Sequence, residues 1–135
     1  MKLSTTIIKP LATLAATVMA TAAVAVPAAQ ARGTVITATL HGGAAFPNAT
    51  GSAKFTKDGT KREFEAQVEH VRSLAGKRLT VFVHGTRVGR MRVGNLGRAQ
   101  LNRSTELGQR VPQVSAGNRV NVRTAGGTLV ATGRF

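Results

Sequence analysis

Short stretches in which apolar and polar residues alternate, separated by glycine-containing turns, constrain the fold of this chain most. The stretch REFEAQVEHV, residues 62–71, alternates most regularly. Alternation with a period of two is typical of a strand with one buried face. About eight such stretches follow one another at spacings of about 8–12 residues, which predicts an all-β domain built as a single antiparallel, Greek-key-like β-sandwich. The predicted inward-facing residues include Phe55, Phe64, Ala66, Val68, Leu79, Val81, Val83, Met91, Val93, Val120 and Val122.

An Asp-Gly pair at residues 58–59 predicts a tight hairpin between two of these strands. Two registers fit the pattern, with Lys54 opposite either Glu63 or Glu65. Both registers keep the phenylalanines of the two strands on one face, so the inside–outside assignment is the same in each. In the stretch RVGRMRV, residues 87–93, the inward position of Val88 requires a local irregularity near Gly89.

The first 31 residues differ in composition from the rest of the chain. Residues 1–9 carry two lysines and no acid, residues 11–26 are small or apolar throughout apart from threonines, and Ala29-Gln30-Ala31 fits a cleavage motif. This order is typical of a secretory signal peptide, and the apolar run is shorter than the roughly 20 residues that a membrane-spanning helix needs. We therefore expect residues 1–31 to be a signal peptide of bacterial type. Residues 32–135 would then form a β-sandwich domain that is secreted or held at the cell envelope.

Positive charge is the main functional signal of the chain. The sequence contains 19 Lys and Arg against 5 Asp and Glu, a formal net charge of +14. Without the two lysines of the predicted leader, the domain keeps 17 basic and 5 acidic residues, a net charge of +12. A charge of this size attracts polyanions, although a solvated basic face without a partner is the alternative. The predicted contact residues are Arg87, Arg90, Arg92, Arg98, Arg103, Arg119 and Arg123.

We expect a non-enzymatic protein that binds an anionic polymer or an envelope surface. Candidate partners are teichoic-type polymers, acidic polysaccharides, anionic lipid headgroups and extracellular DNA. Specific nucleic-acid readout is not expected, because the chain has five Phe but no Trp or Tyr on which bases could stack. The alternative is a protein-interaction, adhesion or inhibitor module. It would use a sheet edge or the loop at residues 105–117, and Leu107, Val111 and Val114 are the candidates for an exposed apolar patch.

Metal and cofactor chemistry has little support in the sequence. The chain has no cysteine and three histidines, His41, His70 and His84, all at predicted strand ends. A zinc site usually needs three or four ligands, so all three histidines would have to converge. We expect no metal and no cofactor.

Catalytic residues are also scarce. Asp58, the one aspartate, lies in the predicted tight turn and is poorly placed for a Ser-His-Asp triad. Glu63, Glu65 and Glu69 share the outer face of one predicted strand, where pairing with basic residues of the neighbouring strand is the expected role. We therefore expect that the protein is not an enzyme.

Glycine and apolar residues recur at characteristic positions along the predicted domain. The stretches are Gly51-Ser-Ala-Lys-Phe55, Leu79-Thr-Val-Phe-Val83, Gly97-Arg-Ala-Gln-Leu101 and Gly127-Thr-Leu-Val-Ala-Thr-Gly133. Their spacing resembles that of small exported bacterial β-sandwich proteins of unassigned function. It is loosely similar to CHRD-type domains, whose expected fold is the Greek-key sandwich of copper/zinc superoxide dismutase. The dismutase family carries a His-x-His pair where this chain has Val83-His84-Gly85, so the resemblance implies a fold and no copper chemistry.

Overall fold

The structure, a computed structural model, describes residues 33–135, and the expected signal peptide lies outside the described residues. Within residues 33–135 the regular structure is eight β-strands and two single 3₁₀ turns at Arg72–Leu74 and Thr105–Leu107. The eight predicted strands are therefore confirmed. This part of the chain contains no helix long and apolar enough to cross a membrane. The strands are β1 (Thr34–Gly42), β2 (Thr50–Asp58), β3 (Lys61–Glu69), β4 (Arg78–Val83), β5 (Thr86–Arg92), β6 (Ala99–Ser104), β7 (Arg119–Thr124) and β8 (Leu129–Arg134).

All eight strands belong to one antiparallel sheet with the order β5-β4-β7-β8-β1-β2-β3-β6. The sheet is continuous within β5-β4-β7-β8 and within β1-β2-β3-β6. These two groups are joined by only two residue pairs between β1 and β8, His41 with Thr132 and Gly42 with Ala131. The sheet curls until it is nearly barrel-shaped, and β5 and β6, its two outermost strands, approach each other without pairing.

The core is apolar and is shared by both groups of strands. Every residue that the sequence predicts to face inward is buried, and no polar or charged residue among residues 33–135 is buried. Phe64 on β3 and Phe135 after β8 meet across the interior, with ring centroids 6.4 Å apart and an interplanar angle of 67°. This edge-to-face arrangement is favourable for aromatic rings and links the two groups of strands.

The β2–β3 hairpin adopts one of the two predicted registers. Lys54 lies opposite Glu65, and the Lys54 Nζ atom is 3.5 Å from Glu65 Oε2. The next pair along the ladder is Phe55 opposite Phe64, and both side chains are buried. The inside–outside assignment of the hairpin is confirmed.

A β-bulge interrupts the pairing of β4 with β5. Gly89 lies opposite Val81, whereas the next residue of β4, Phe82, lies opposite Arg87. Val88 is thus the extra residue, and both Val88 and Gly89 are buried. The predicted irregularity is confirmed, and it turns two successive residues of β5 towards the interior.

The expected exposed apolar patch in the loop after β6 is wrong. Val111 and Val114 are only 2% and 3% exposed and belong to the core, while Leu107 alone remains exposed, at 75%. The segment connects β6, at one edge of the sheet, to β7, in the interior of the other group of strands. The two valines on this connection add apolar volume to the core and leave no patch for a partner.

Candidate anion-binding surface

The four strands β4, β5, β7 and β8 carry seven arginines and no acidic residue. We call the outer surface of these strands the arginine face. Arg90 and Arg92 flank the buried Met91, and the alternation of a strand therefore turns both outward. The arginines of the face are Arg78, Arg87, Arg90, Arg92, Arg119, Arg123 and Arg134.

Strand pairing places these arginines in rows across the sheet. Thr80 on β4 lies opposite Arg90 of β5 on one side and opposite Arg123 of β7 on the other. Neighbouring strands are about 4.8 Å apart and same-face residues along a strand about 6.7 Å apart, so the spacing of the arginine positions ranges from roughly 5 to 10 Å. Five of the seven arginines predicted from the sequence share this face: Arg87, Arg90, Arg92, Arg119 and Arg123.

Two pairs of arginines lie directly opposite each other, Arg78 with Arg92 and Arg119 with Arg134. Like charges at directly opposite positions destabilise a sheet. In each pair one guanidinium reaches a carbonyl oxygen outside the strands, which leaves the other open to solvent. Arg92 Nη1 donates to Gly76 O at 3.1 Å, and Arg134 Nη1 donates to Gly117 O at 3.2 Å.

Acidic residues that could neutralise this charge lie elsewhere in the molecule. All five are on β2, on β3 or in the Thr105–Leu107 turn: Asp58, Glu63, Glu65, Glu69 and Glu106. The salt bridges found within residues 33–135 are Lys54–Glu65 and Lys61–Glu106, at 3.5 and 3.1 Å, and both involve these acids. The hydrogen bond and the negative charge of Glu106 raise the pKa of Lys61 above its ordinary value. The arginine face has no such partners among the described residues.

The other two predicted arginines take different positions. Arg98 is exposed in the turn between β5 and β6, where its carbonyl accepts a hydrogen bond from Gly94 N at 2.8 Å. Arg103 lies on β6 opposite the buried Phe64, so its side chain starts towards the interior. Its guanidinium packs against Gly89 of β5, because a carbon atom built onto Gly89 would be 2.8 Å from Arg103 Nε. Neither residue belongs to the arginine face.

Arg103 is part of a pocket at the place where β5 and β6 approach each other. The pocket has a volume of about 550 Å³, and we call it the seam pocket. Arg103 Nε is buried and has no hydrogen-bond partner. An unsatisfied buried donor costs about 1–3 kcal/mol, and more where the group is charged. The charged and apolar residues that line the pocket are Arg87, Arg90, Arg103, Arg110, Val88 and Pro112.

The sequence did not predict a role for three arginines, Arg78, Arg110 and Arg134. It also did not predict that the Arg103 side chain starts towards the interior. Arg78 precedes the buried Leu79 in an alternating strand, so the pattern contains a signal for its outward position. The alternation from the buried Leu101 likewise indicates that Arg103 starts on the inner face. Arg134 and Arg110 lie at a strand end and in a loop, where alternation gives no direction.

The three histidines stay at turns and strand ends. His70 and His84 take positive φ angles of 65° and 51°, and His70 Nδ1 is 3.0 Å from Thr50 Oγ1. Among residues 33–135, no group of three or more His, Asp or Glu side chains is arranged to hold a metal ion.

Comparison with known proteins adds no further constraint on the site. No protein-family model matches the chain, and no curated protein matches it. The candidate surface therefore rests on the geometry and charge of the chain itself.

Proposed function

We propose that this protein is a non-enzymatic binding protein that holds anionic polymers on its arginine face. The observation that supports this proposal is the concentration of seven arginines, without an acid, on four strands of one sheet. Guanidinium groups remain protonated at every physiological pH and bind phosphate and carboxylate oxygens through charge-assisted hydrogen bonds. Binding then neutralises charges that otherwise repel one another across the sheet.

The spread of the arginines favours a polymer over a small anion. Sites spaced by roughly 5–10 Å across several strands fit a chain of repeated charges, each of which adds to the same association. The partner is a teichoic-type polymer, an acidic polysaccharide, anionic lipid headgroups or extracellular DNA. An open face of flexible arginines selects among them by charge density and not by sequence.

We further propose that the sheet is a Greek-key sandwich with β5-β4-β7-β8 and β1-β2-β3-β6 as its two layers. The short β1–β8 pairing and the contact of Phe64 with Phe135 support two layers packed face to face. With β5 beside β6, the order β7-β4-β5-β6 is the order of a Greek key. The resemblance to CHRD-type domains fits this proposal.

The proposed place of action is outside the cytoplasm, at the envelope or in the surrounding medium. The lysine-bearing start, the apolar run and the Ala29-Gln30-Ala31 motif support export and cleavage. Protein recovered from the medium or envelope should begin at Arg32, within a few residues. Recovery of cytoplasmic protein that retains Met1 would contradict export.

The salt dependence of binding to duplex DNA tests the proposed function. Each neutralised phosphate contributes about −0.9 to the slope of log affinity against log salt, so five engaged phosphates give a slope of about −4.5. A rise in salt from about 50 to 200 mM should then weaken binding roughly 500-fold. Heparin at matched charge density should compete about as well as DNA. Binding that ignores salt would contradict the proposal.

A further inference from the structure

The seam pocket differs from the arginine face in shape and in its supporting structure. The face is an open surface, whereas the pocket is a recess of about 550 Å³, within the range of about 300–1,000 Å³ that is usual for small-molecule sites. At one wall of the pocket the bulge at Val88 turns Gly89 inward, and the missing side chain of Gly89 leaves room for the Arg103 guanidinium. Arg103 enters this space from β6.

The charge of the pocket points to an anion with more than one negative charge on one group. Four arginines line it, from β5, from β6 and from the following loop, and no acidic residue is among the lining residues. Arg103 Nε is buried without a partner, so one donor of a guanidinium edge is already desolvated and is left unused. Arginine edges match the paired oxygens of a phosphate group. A phosphomonoester carries about −1.5 to −2 charges at neutral pH, more than a carboxylate or a phosphodiester.

The lining residues other than the arginines indicate which organic group the phosphate of a ligand would carry. Val88 and Pro112 give the pocket an apolar side, and its volume leaves space for an organic group beside the phosphate. No aromatic residue lines the pocket, so a nucleobase has no platform on which to stack. We infer that the seam pocket is a selective site for a phosphomonoester carried on a small non-aromatic organic group. This inference goes beyond the proposed function, because the site would remain if the arginine face bound no polymer.

Substitutions at Arg103 and Gly89 test the inference in two ways. One removes the guanidinium charge, and the other moves the guanidinium without changing the charge. Arg103→Met removes the guanidinium and keeps an unbranched apolar side chain of similar reach. Gly89→Ala changes no charge, but the added carbon would lie 2.8 Å from Arg103 Nε, so the guanidinium must shift. Gly94→Ala is the matched control, since its added carbon would have only an ordinary contact of 3.7 Å with Arg98 O.

Calorimetric titration measures the affinity of the protein for glucose 6-phosphate. The salt concentration is about 150 mM, at which charges are screened beyond about 8 Å. We expect saturable binding that weakens at least about tenfold in Arg103→Met, as for loss of a charged hydrogen bond. Gly89→Ala should weaken it as well, and Gly94→Ala should not. The methyl phosphodiester of the same sugar should bind at least about tenfold more weakly, and AMP should bind less tightly than glucose 6-phosphate.

Several results would overturn the inference. They are absence of glucose 6-phosphate binding, unchanged affinity in Arg103→Met or Gly89→Ala, and equal affinity for the diester or for AMP. The combined variant Arg78→Gln, Arg119→Gln and Arg123→Gln separates this site from the proposed function, because none of these arginines lines the pocket. It should weaken DNA binding and leave glucose 6-phosphate binding unchanged. Circular dichroism of each variant verifies that it is folded.

Discussion

The two groups of four strands share one core but differ in the balance of basic and acidic residues that they carry. Strands β1, β2, β3 and β6 carry five basic and four acidic residues, whereas β4, β5, β7 and β8 carry seven arginines and no acid. On the first group, Lys54 is paired with Glu65 directly across the β2–β3 ladder. On the second, the residues facing each other include Arg78 with Arg92. The net positive charge of the strands is therefore concentrated on β4, β5, β7 and β8.

The difference in charge between the two groups shows that the fold requires the buried apolar residues and not a particular set of charges on the outer surface. Both groups bury alternating apolar residues equally well, so the core needs no particular charge on the outer surface. One cross-strand ion pair, Lys54–Glu65, stabilises the first group, while facing arginines oppose pairing in the second. The facing arginines do not serve the core, and the proposed binding of anions would account for their positions.

The largest expected effect tests whether the two groups share one core. Phe64→Ala removes a fully buried ring that contacts Phe135, and it should lower the free energy of unfolding by roughly 3–5 kcal/mol. Urea titration followed by circular dichroism measures the loss, since the chain has no Trp or Tyr for fluorescence. Val81→Ala, on the other group of strands, should also shift the same single transition. Two separate transitions would mean that the groups are not one cooperative unit.

A smaller effect of opposite sign should distinguish the outer surfaces. Arg119→Ala removes one member of a facing pair with Arg134, so at low salt it should stabilise the domain, by less than about 0.5 kcal/mol. Lys54→Ala removes an exposed ion pair and should destabilise it, by at most about 1 kcal/mol. Parallel urea titrations at about 10 mM and 150 mM salt measure both changes, and both should shrink at the higher salt. Equal losses in the two variants would show that the surfaces do not differ.

The alternation of apolar and polar residues predicted the strands and the core, because the buried face of a strand depends only on residues that are close in sequence. Phe64, Val81 and Val122 follow it directly, and even the bulge at Val88 is visible as an apolar residue out of phase. Alternation does not state which strands become neighbours. The placement of β4 between β5 and β7, which unites the arginines on one face, depends on long-range pairing.

The seam pocket was harder to predict for the same reason. Its lining comes from the consecutive strands β5 and β6 and from the loop that carries Arg110 and Pro112, but β5 and β6 are the two outermost strands and approach each other only because the whole sheet curls. The burial of Val111 and Val114 also depends on where that loop crosses the core, and the local sequence reads equally well as an exposed apolar patch. Local pattern therefore predicted the strands and the core, whereas the closure of the whole sheet determined where the sites form.

A matched pair of triple variants tests the central claim, that position on the arginine face and not net charge determines polyanion binding. One variant combines Arg78→Gln, Arg119→Gln and Arg123→Gln, and the other combines Lys54→Gln, Lys57→Gln and Arg62→Gln on β2 and β3. Each lowers the net charge by three. The measurement is the slope of log affinity for duplex DNA against log salt concentration. We predict that the first variant reduces the magnitude of the slope by up to about 2.7 and that the second leaves it unchanged. Equal reductions in both variants would contradict the account.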